Sequence, residues 1–214
     1  TDLPHMLVDK NSWEKIVSDM GIKNQDEIVV YDNSDVISSC RCWYNFIYFG
    51  HNPKLIHVLN GGLKKWNDEK KQTTNILTKT KISKYSAIEK KELVKNKNEI
   101  NKNISSNIFK VIDARSKERF EGKIPEPRKG LRSGSIKNSF CLPFSELINR
   151  DGTFIDKDKI SKKFNSFNCD GNIDVVFSCG SGVTASVLAL AYSLIDNKYM
   201  PKVYDGSWSE YGKI

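Results

Sequence analysis

The sequence lacks several features that would place it in other classes of protein. No apolar run is long enough to cross a membrane as a helix, and the chain shows no signal-peptide pattern. Its five cysteines form no CxxC pair and no zinc-ligand spacing, and their odd number argues against a disulfide framework. These absences predict a cytoplasmic protein in a reducing compartment, with no membrane partner.

Acidic residues are also few, since 34 Lys and Arg against 26 Asp and Glu give a formal net charge of +8. A basic surplus is typical of proteins that bind nucleic acids. Here the lysines are scattered, mixed with glutamates and not interleaved with a periodic set of aromatic residues. We therefore expect no nucleic-acid partner, and the charge can instead attract small anionic substrates.

One stretch near the C-terminus combines a strand, a glycine loop and a helix. Residues 174–178 form a short apolar run with β-branched side chains, as in a central parallel strand. Residues 184–195 are mostly apolar, which predicts a buried helix that begins with its first residue as the N-cap. Between them lies Cys179, and Gly180 and Gly182 follow it in a loop that glycine makes flexible.

This position gives Cys179 two possible interpretations. A free cysteine is often only a small buried hydrophobic residue. However, open α/β sheets place their chemistry at the carboxyl ends of strands. Loop N–H groups and the helix N-terminus favour a thiolate there, which is the nucleophilic form of cysteine. The flanking glycines favour the functional interpretation, with Cys179 as a nucleophile.

The segment Cys179-Gly-Ser-Gly-Val-Thr-Ala185 resembles the active-site loop of the rhodanese superfamily, in its 3-mercaptopyruvate sulfurtransferase form. Members that use thiosulfate tend to carry Arg and Lys where this chain has Gly180 and Ser181. Tyrosine-phosphatase-like loops place Arg six residues after the cysteine, and the residue here is Ala185. The resemblance therefore implies sulfur transfer and argues against phosphatase chemistry.

The order of strand, helix and strand occurs twice, which predicts a tandem repeat. We expect an α/β fold of two rhodanese-like domains, each a parallel sheet with helices on both faces. Residues 1–72 form the first domain, 73–106 a linker and 107–214 the catalytic domain. The linker is expected to contain a short helix over 86–100.

The two predicted domains differ in two respects. Asp32 occupies the position in the first copy that Cys179 has in the second, so the first domain is expected to be non-catalytic. Nothing before Thr1 matches residues 108–140 of the second copy. We therefore expect the first domain to be N-terminally incomplete.

The resemblance also implies roles for other residues. Arg119 and Arg128 occupy the motif positions whose arginines hold the carboxylate and keto group of the sulfur donor, although surface arginines in a loop are the simpler interpretation. Ser181 and His5 would form a proton relay, rather than serving as a loop-capping hydroxyl and a solvated histidine. The remaining donor-binding positions are those of the active-site loop: Gly180, Gly182, Val183 and Thr184.

The implied reaction is a two-step transfer without a metal or organic cofactor. Cys179 takes sulfur from 3-mercaptopyruvate as a persulfide, pyruvate leaves, and a thiol such as thioredoxin, a small thiol or cyanide accepts the outer sulfur. Two alternatives remain open. One is thiosulfate:cyanide transfer at the same site, and the other is a non-catalytic module that only carries a persulfide.

Overall fold

The computed structural model describes residues 2–169, 173–195 and 200–214. Its helices are α1 (Lys10–Asp19), α2 (Ser39–Tyr48), α3 (Gly62–Asp68), α4 (Lys97–Ser106), α5 (Lys117–Phe120), α6 (Lys157–Asn165), α7 (Val183–Ile195) and α8 (Ser207–Tyr211). Its strands are β1 (Ile28–Val30), β2 (Ile56–Val58), β3 (Val94–Lys95), β4 (Phe109–Asp113), β5 (Phe140–Cys141), β6 (Asp174–Ser178) and β7 (Lys202–Tyr204). No helix within these ranges is long and apolar enough to span a bilayer.

The larger sheet has five parallel strands in the order β3-β7-β6-β4-β5. Strand β6 lies in the middle, and its last residue, Ser178, pairs with Asp113 at the end of β4. Because the strands are parallel, the loops that follow β4, β6 and β7 all leave from one edge of the sheet. That edge therefore brings together residues that are far apart in sequence.

Both faces of this sheet are covered, as the sequence predicts. Along β6, Val175 and Phe177 enter the core cluster that contains α6 and α7, whereas Val176 enters a second cluster with Trp208 of α8. This alternation follows from the two-residue period of a strand. Since all three side chains are fully buried, strand β6 is fixed in register at the centre of the sheet.

The smaller sheet consists of β1 and β2, which are parallel and pair Val29 with His57. Helix α2 packs against both strands and also against α7 of the larger sheet. One continuous core cluster consequently includes Trp43 and Phe46 of α2 together with Leu188 of α7. The α/β fold with parallel sheets is confirmed, and the two units share one core.

The predicted linker is partly wrong. Residues 86–100 do not form one helix, because Asn96 and Glu99 make a capping box that begins α4 at Lys97. The strand before it, β3, joins the larger sheet beside β7. Ile88 is exposed rather than inward-facing. The last third of the segment over 73–106 therefore belongs to the larger sheet.

Candidate active site

Cys179 is the first residue after β6, at the edge where the loops gather. Cys179 is only 1% exposed, and helix α7 begins four residues later, at Val183. The expected N-cap at Thr184 is wrong, since Thr184 lies inside the first turn of this helix. The predicted strand, loop and helix are otherwise confirmed.

The loop after β6 is held by the segment that follows β7. The Trp208 N–H donates to the Cys179 carbonyl at 2.9 Å, and both the N–H and the Oγ of Ser209 donate to the Gly180 carbonyl, at 2.8 and 2.6 Å. The Cys179 N–H donates in turn to Ser207 Oγ at 3.1 Å. These four hydrogen bonds fix the first two peptide planes of the loop.

Fixing these carbonyls also orients the N–H groups of the loop. In a trans peptide the C=O and the following N–H point in opposite directions. The N–H groups of Gly180 and Ser181 therefore point away from Trp208 and Ser209. Within the described ranges neither N–H has a hydrogen-bond acceptor. The loop thus presents free amide donors, which is the property of an anion-binding nest.

Two glycines of the loop lie where arginines approach it. Gly182 has a φ of +80°, and a Cβ there would lie 2.8 Å from Nη1 of Arg41. A Cβ on Gly180 would lie 3.2 Å from Arg119 Nη2 and 3.6 Å from Arg128 Nη1. Glycine at these positions allows the guanidinium groups to reach the loop backbone.

His5 and Ser181 are in direct contact, although 176 residues separate them. The Nδ1 atom of His5 lies 2.8 Å from Ser181 Oγ, and Arg128 Nη2 donates to the same oxygen at 3.3 Å. The pKa of His5 is lowered because its ring is partly removed from water and because Arg128 and Arg41 are cations nearby. The imidazole is therefore biased toward its neutral form, which can accept a proton.

The two predicted donor-binding arginines have different electrostatic environments. Arg119 is paired with Glu126, through Nη2–Oε2 at 2.6 Å and Nε–Oε1 at 3.2 Å. Arg128 has no carboxylate partner among the described residues. The site therefore carries one compensated and one uncompensated guanidinium beside Gly180.

A buried charge network that sequence reasoning missed supports Arg119. Arg115, whose side chain is fully buried, pairs with Asp113 at 2.7 Å and with Glu126 at 2.7 Å. Its guanidinium also lies 4.4 Å from the ring centre of Trp208. Glu126 thus joins Arg115 to Arg119. The signal was available, because Glu126 is inside the Pro-Glu-Pro-Arg segment that also contains Arg128.

The other cysteines differ from Cys179 in their surroundings. Burial, assisted by the charge of Asp113, raises the pKa of Cys141 to about 12. Burial likewise raises the pKa of Cys40 and Cys42. Thiols with raised pKa values are poor nucleophiles at neutral pH. Cys40, Cys42 and Cys141 are therefore poorly suited to act as the nucleophile.

The described chain also has a wide recess away from Cys179. A groove of about 950 Å³ lies between the loop at Asp32, the turn at Gly62 and Leu190 of α7, and none of the predicted site residues line it. Concavity alone would therefore misplace the site. The contacts among Cys179, Ser181, His5 and Arg128 are the better guide.

Fold and site together define an α/β protein that presents a cysteine, framed by free amides and arginines, at the carboxyl end of its central parallel strand. The model of the rhodanese family, which describes the rhodanese-like domain, matches residues 3–69 and 91–213 of this chain. The chain belongs to the rhodanese family.

Curated relatives are similar over almost the whole chain. Thiosulfate/3-mercaptopyruvate sulfurtransferase 1, mitochondrial, of Arabidopsis thaliana is 35% identical over 232 residues, which are 99% of this chain and 60% of that protein. The 3-mercaptopyruvate sulfurtransferase of Mus musculus is 32% identical over 209 residues, 97% of this chain and 69% of that protein. The chain thus spans about three fifths to two thirds of these relatives' length.

A solved structure shows the same arrangement of the backbone. The Escherichia coli 3-mercaptopyruvate sulfotransferase SseA superimposes with a TM-score of 0.84 at 28% identity, over 98% of this chain and 77% of that chain. The likeness extends across both sheets, which agrees with the predicted pair of rhodanese-like units.

Proposed function

We propose that this chain is a sulfurtransferase that moves sulfur from 3-mercaptopyruvate through a persulfide on Cys179. The observation that carries the proposal is the contact of His5 and Arg128 with Ser181, two residues after a cysteine whose loop has free amides. The relatives' names include 3-mercaptopyruvate as a substrate. Membership of the rhodanese family, the contacts of Ser181 and the positive charge of Arg128 therefore all support sulfur transfer.

In the first step the Cys179 thiolate attacks the donor's sulfur, an S–S bond forms and the donor's C–S bond breaks. The electron pair of that bond leaves as the enolate of pyruvate, which takes up one proton. We assign the delivery of this proton to Ser181 and His5, whose 2.8 Å contact permits transfer between them. The neutral imidazole first takes up the proton that Cys179 loses as its thiolate forms, and the relay then returns that proton to the enolate. The thiolate is regenerated when an acceptor thiolate attacks the outer sulfur of the persulfide.

Arg119 and Arg128 are assigned to the donor's carboxylate and keto oxygen, because planar guanidinium groups match such oxygens. The amides of the active-site loop are assigned to the developing negative charge. These amides are those of Gly180, Gly182, Val183 and Thr184.

The charge of the site favours the singly charged donor over thiosulfate. Glu126 compensates the charge of Arg119, which leaves Arg128 as the uncompensated cation beside the loop. A dianion would gain most from additional cations at positions 180 and 181, and Gly180 and Ser181 supply none. Thiosulfate remains the second candidate, because the Arabidopsis relative is named for both donors.

The test is pyruvate release from 3-mercaptopyruvate by the full chain, with mass spectrometry of Cys179 in the same sample. We expect pyruvate together with the mass of one added sulfur on Cys179. Added sulfur without pyruvate would instead support the persulfide-carrier alternative. A higher kcat/KM with thiosulfate and cyanide would identify the second donor as the preferred one.

Replacing Arg128 by methionine should lower kcat/KM for 3-mercaptopyruvate by about 10- to 150-fold, since a hydrogen bond to a charged group contributes about 1.5–3 kcal/mol. The loss should be in donor binding, so KM for the acceptor should not change. Arg150→Met is the matched control, because Arg150 is exposed and outside the site. An Arg128→Met enzyme with wild-type kcat/KM would contradict the assignment.

The acceptor and the compartment are further parts of this proposal. A thiol acceptor, such as thioredoxin or a small thiol, suits a persulfide whose outer sulfur must be attacked by a thiolate. All five cysteines are free thiols, which is the usual state in a reducing compartment such as the cytoplasm. We propose a first domain over 1–72 and a catalytic domain over 107–214 to which the preceding β3 and α4 also belong.

A further inference from the structure

Arg41 is an unusual residue in helix α2. The helix is otherwise mostly apolar or aromatic, and eight of its residues are buried, including Arg41. Its side chain is 9% exposed and forms an ion pair with Asp205, whose side chain is 5% exposed. A buried guanidinium must satisfy its donors, so its partners show which parts of the molecule it holds.

Those partners lie on three separate segments that meet at the site. Nη2 donates to the His5 carbonyl at 2.8 Å and to Asp205 Oδ1 at 2.7 Å, while Nη1 lies 3.4 Å from the Gly182 carbonyl. The other carboxylate oxygen of Asp205 accepts the N–H of Leu7 at 2.9 Å. Arg41 therefore connects the N-terminal segment, the active-site loop and the segment after β7.

The contact with His5 acts on a residue that needs external support. The φ of His5 is +62°, in the left-handed region that non-glycine residues rarely adopt. Its carbonyl is held by Arg41, and its ring lies against Ser181. Strained conformations persist where surrounding contacts determine them. The guanidinium of Arg41 supplies such a contact on the backbone side of His5.

The contact with Gly182 acts on the loop itself. The Gly182 carbonyl accepts from Arg41 Nη1 and from Ser186 Oγ, the latter at 3.0 Å. By the trans-peptide geometry, this orients the following N–H, that of Val183, away from Arg41. Arg41 thus does for the Gly182–Val183 peptide plane what Trp208 and Ser209 do for the Cys179–Gly180 and Gly180–Ser181 planes.

We propose that Arg41 is a positioning residue of the sulfur-transfer site, which it serves from helix α2 by fixing the His5 backbone and the Gly182 carbonyl. This inference rests on the proposed function for its kinetic test. Arg41 does not touch the donor in this scheme. Its loss should therefore lower kcat and leave the KM of the donor, which Arg119 and Arg128 set, almost unchanged.

Two substitutions separate the shape of Arg41 from its charge. Arg41→Lys keeps the positive charge beside Asp205 but loses the planar fork that reaches His5 and Gly182 together. Arg41→Gln loses the charge as well. We expect kcat to fall by about 10- to 100-fold in both variants, because small misplacements of catalytic groups cost this much.

The matched control is Lys65→Gln. Lys65 of α3 also joins the two units, through an ion pair with Asp151 at 2.9 Å, but its side chain is 32% exposed and forms no hydrogen bond or ion pair with the site residues within the described ranges. We expect this variant to retain wild-type kcat and KM. Arg41→Lys with wild-type kcat would overturn the proposal, and so would an equal loss in Lys65→Gln. If Arg41→Gln does not fold, the kcat of Arg41→Lys alone decides the kinetic test.

An NMR titration of His5 tests the same inference without an activity assay. The charged groups around His5 are Arg128, Arg41 and Asp205, and Arg41 contributes to lowering the pKa of His5. Arg41→Gln should therefore move the titration midpoint of His5 to higher pH, whereas the midpoint of His51 should not change. Arg41→Lys keeps the charge and should leave the midpoint in place, while the Nδ1 signal reports loss of the Ser181 contact.

The kinetic measurement and the NMR titration together distinguish failure of the inference from failure of the proposed function. A wild-type chain that releases no pyruvate would refute the function, and the His5 signals would then decide the inference alone. Unchanged His5 Nδ1 signals in Arg41→Lys, with an unchanged midpoint in Arg41→Gln, would overturn the positioning role.

Discussion

The Cys179→Ser variant is expected to release no pyruvate from 3-mercaptopyruvate above background and to gain no sulfur. A serine hydroxyl is almost fully protonated at neutral pH, and its oxygen cannot form the persulfide that carries sulfur to the acceptor. The fold should persist, because the replacement changes one buried atom and leaves the backbone hydrogen bonds of the loop in place. Pyruvate release and intact-protein mass spectrometry measure the two effects.

Cys141→Ser is the matched control for this prediction. Cys141 ends β5 at the same edge of the sheet, and burial together with the Asp113 charge raises its pKa to about 12. Its thiol should contribute nothing to turnover, so Cys141→Ser should behave as the wild type. Pyruvate release by Cys179→Ser at the wild-type rate would refute the nucleophile assignment.

Replacing Arg115 by methionine should destabilise the protein by about 3–5 kcal/mol, because the change leaves the buried Asp113 carboxylate without its cation and leaves Glu126 with Arg119 alone. Asp113 and Glu126 both pair with Arg115, and the carboxylate side chains of both are 1% exposed. A loss of this size is a large part of the stability of a typical domain. Urea denaturation followed by tryptophan fluorescence measures it.

A second substitution tests the cause of this destabilisation. Asp113→Asn in the Arg115→Met background removes the carboxylate that is left unpaired, since Glu126 keeps its ion pair with Arg119, and should restore part of the stability. Lys123→Met serves as the control, since it breaks an exposed ion pair with Glu121 and should cause no measurable change. If Arg115→Met unfolds at the wild-type urea concentration, the network carries little stability.

Short sequence patterns predicted the strand, loop and helix around Cys179, because these elements are adjacent in the sequence. The strand before Cys179 and the apolar helix after it begin and end within one residue of the predicted limits. The glycines lie in the loop between them, as predicted. Each is specified by a periodicity or by backbone freedom that a short window reveals. The contact between His5 and Ser181 was reached only through the family resemblance, because no local pattern links residues 176 apart.

The supporting contacts of the site were missed for the same physical reason. Arg41 reaches Asp205 across 164 residues, and this pairing depends on how α2 packs against α7. The sequence marks Arg41 only as a cation inside an apolar helix, which signals a buried partner without identifying it. The misplaced helix over 86–100 has a local cause, since the Asn96 capping box was overlooked.

The loop that holds Asp32 lies between β1 and α2, as the loop of Cys179 lies between β6 and α7. Partial burial opposes ionisation of Asp32, but hydrogen bonds from Ser34, Ser38 and the N–H of Ser39 outweigh it and lower its pKa. The loop of the first copy is thus held by a fixed anion at the position that Cys179 occupies in the second. Although it has no cysteine at this position, the first copy supplies Arg41 and His5 to the contacts around the Cys179 loop.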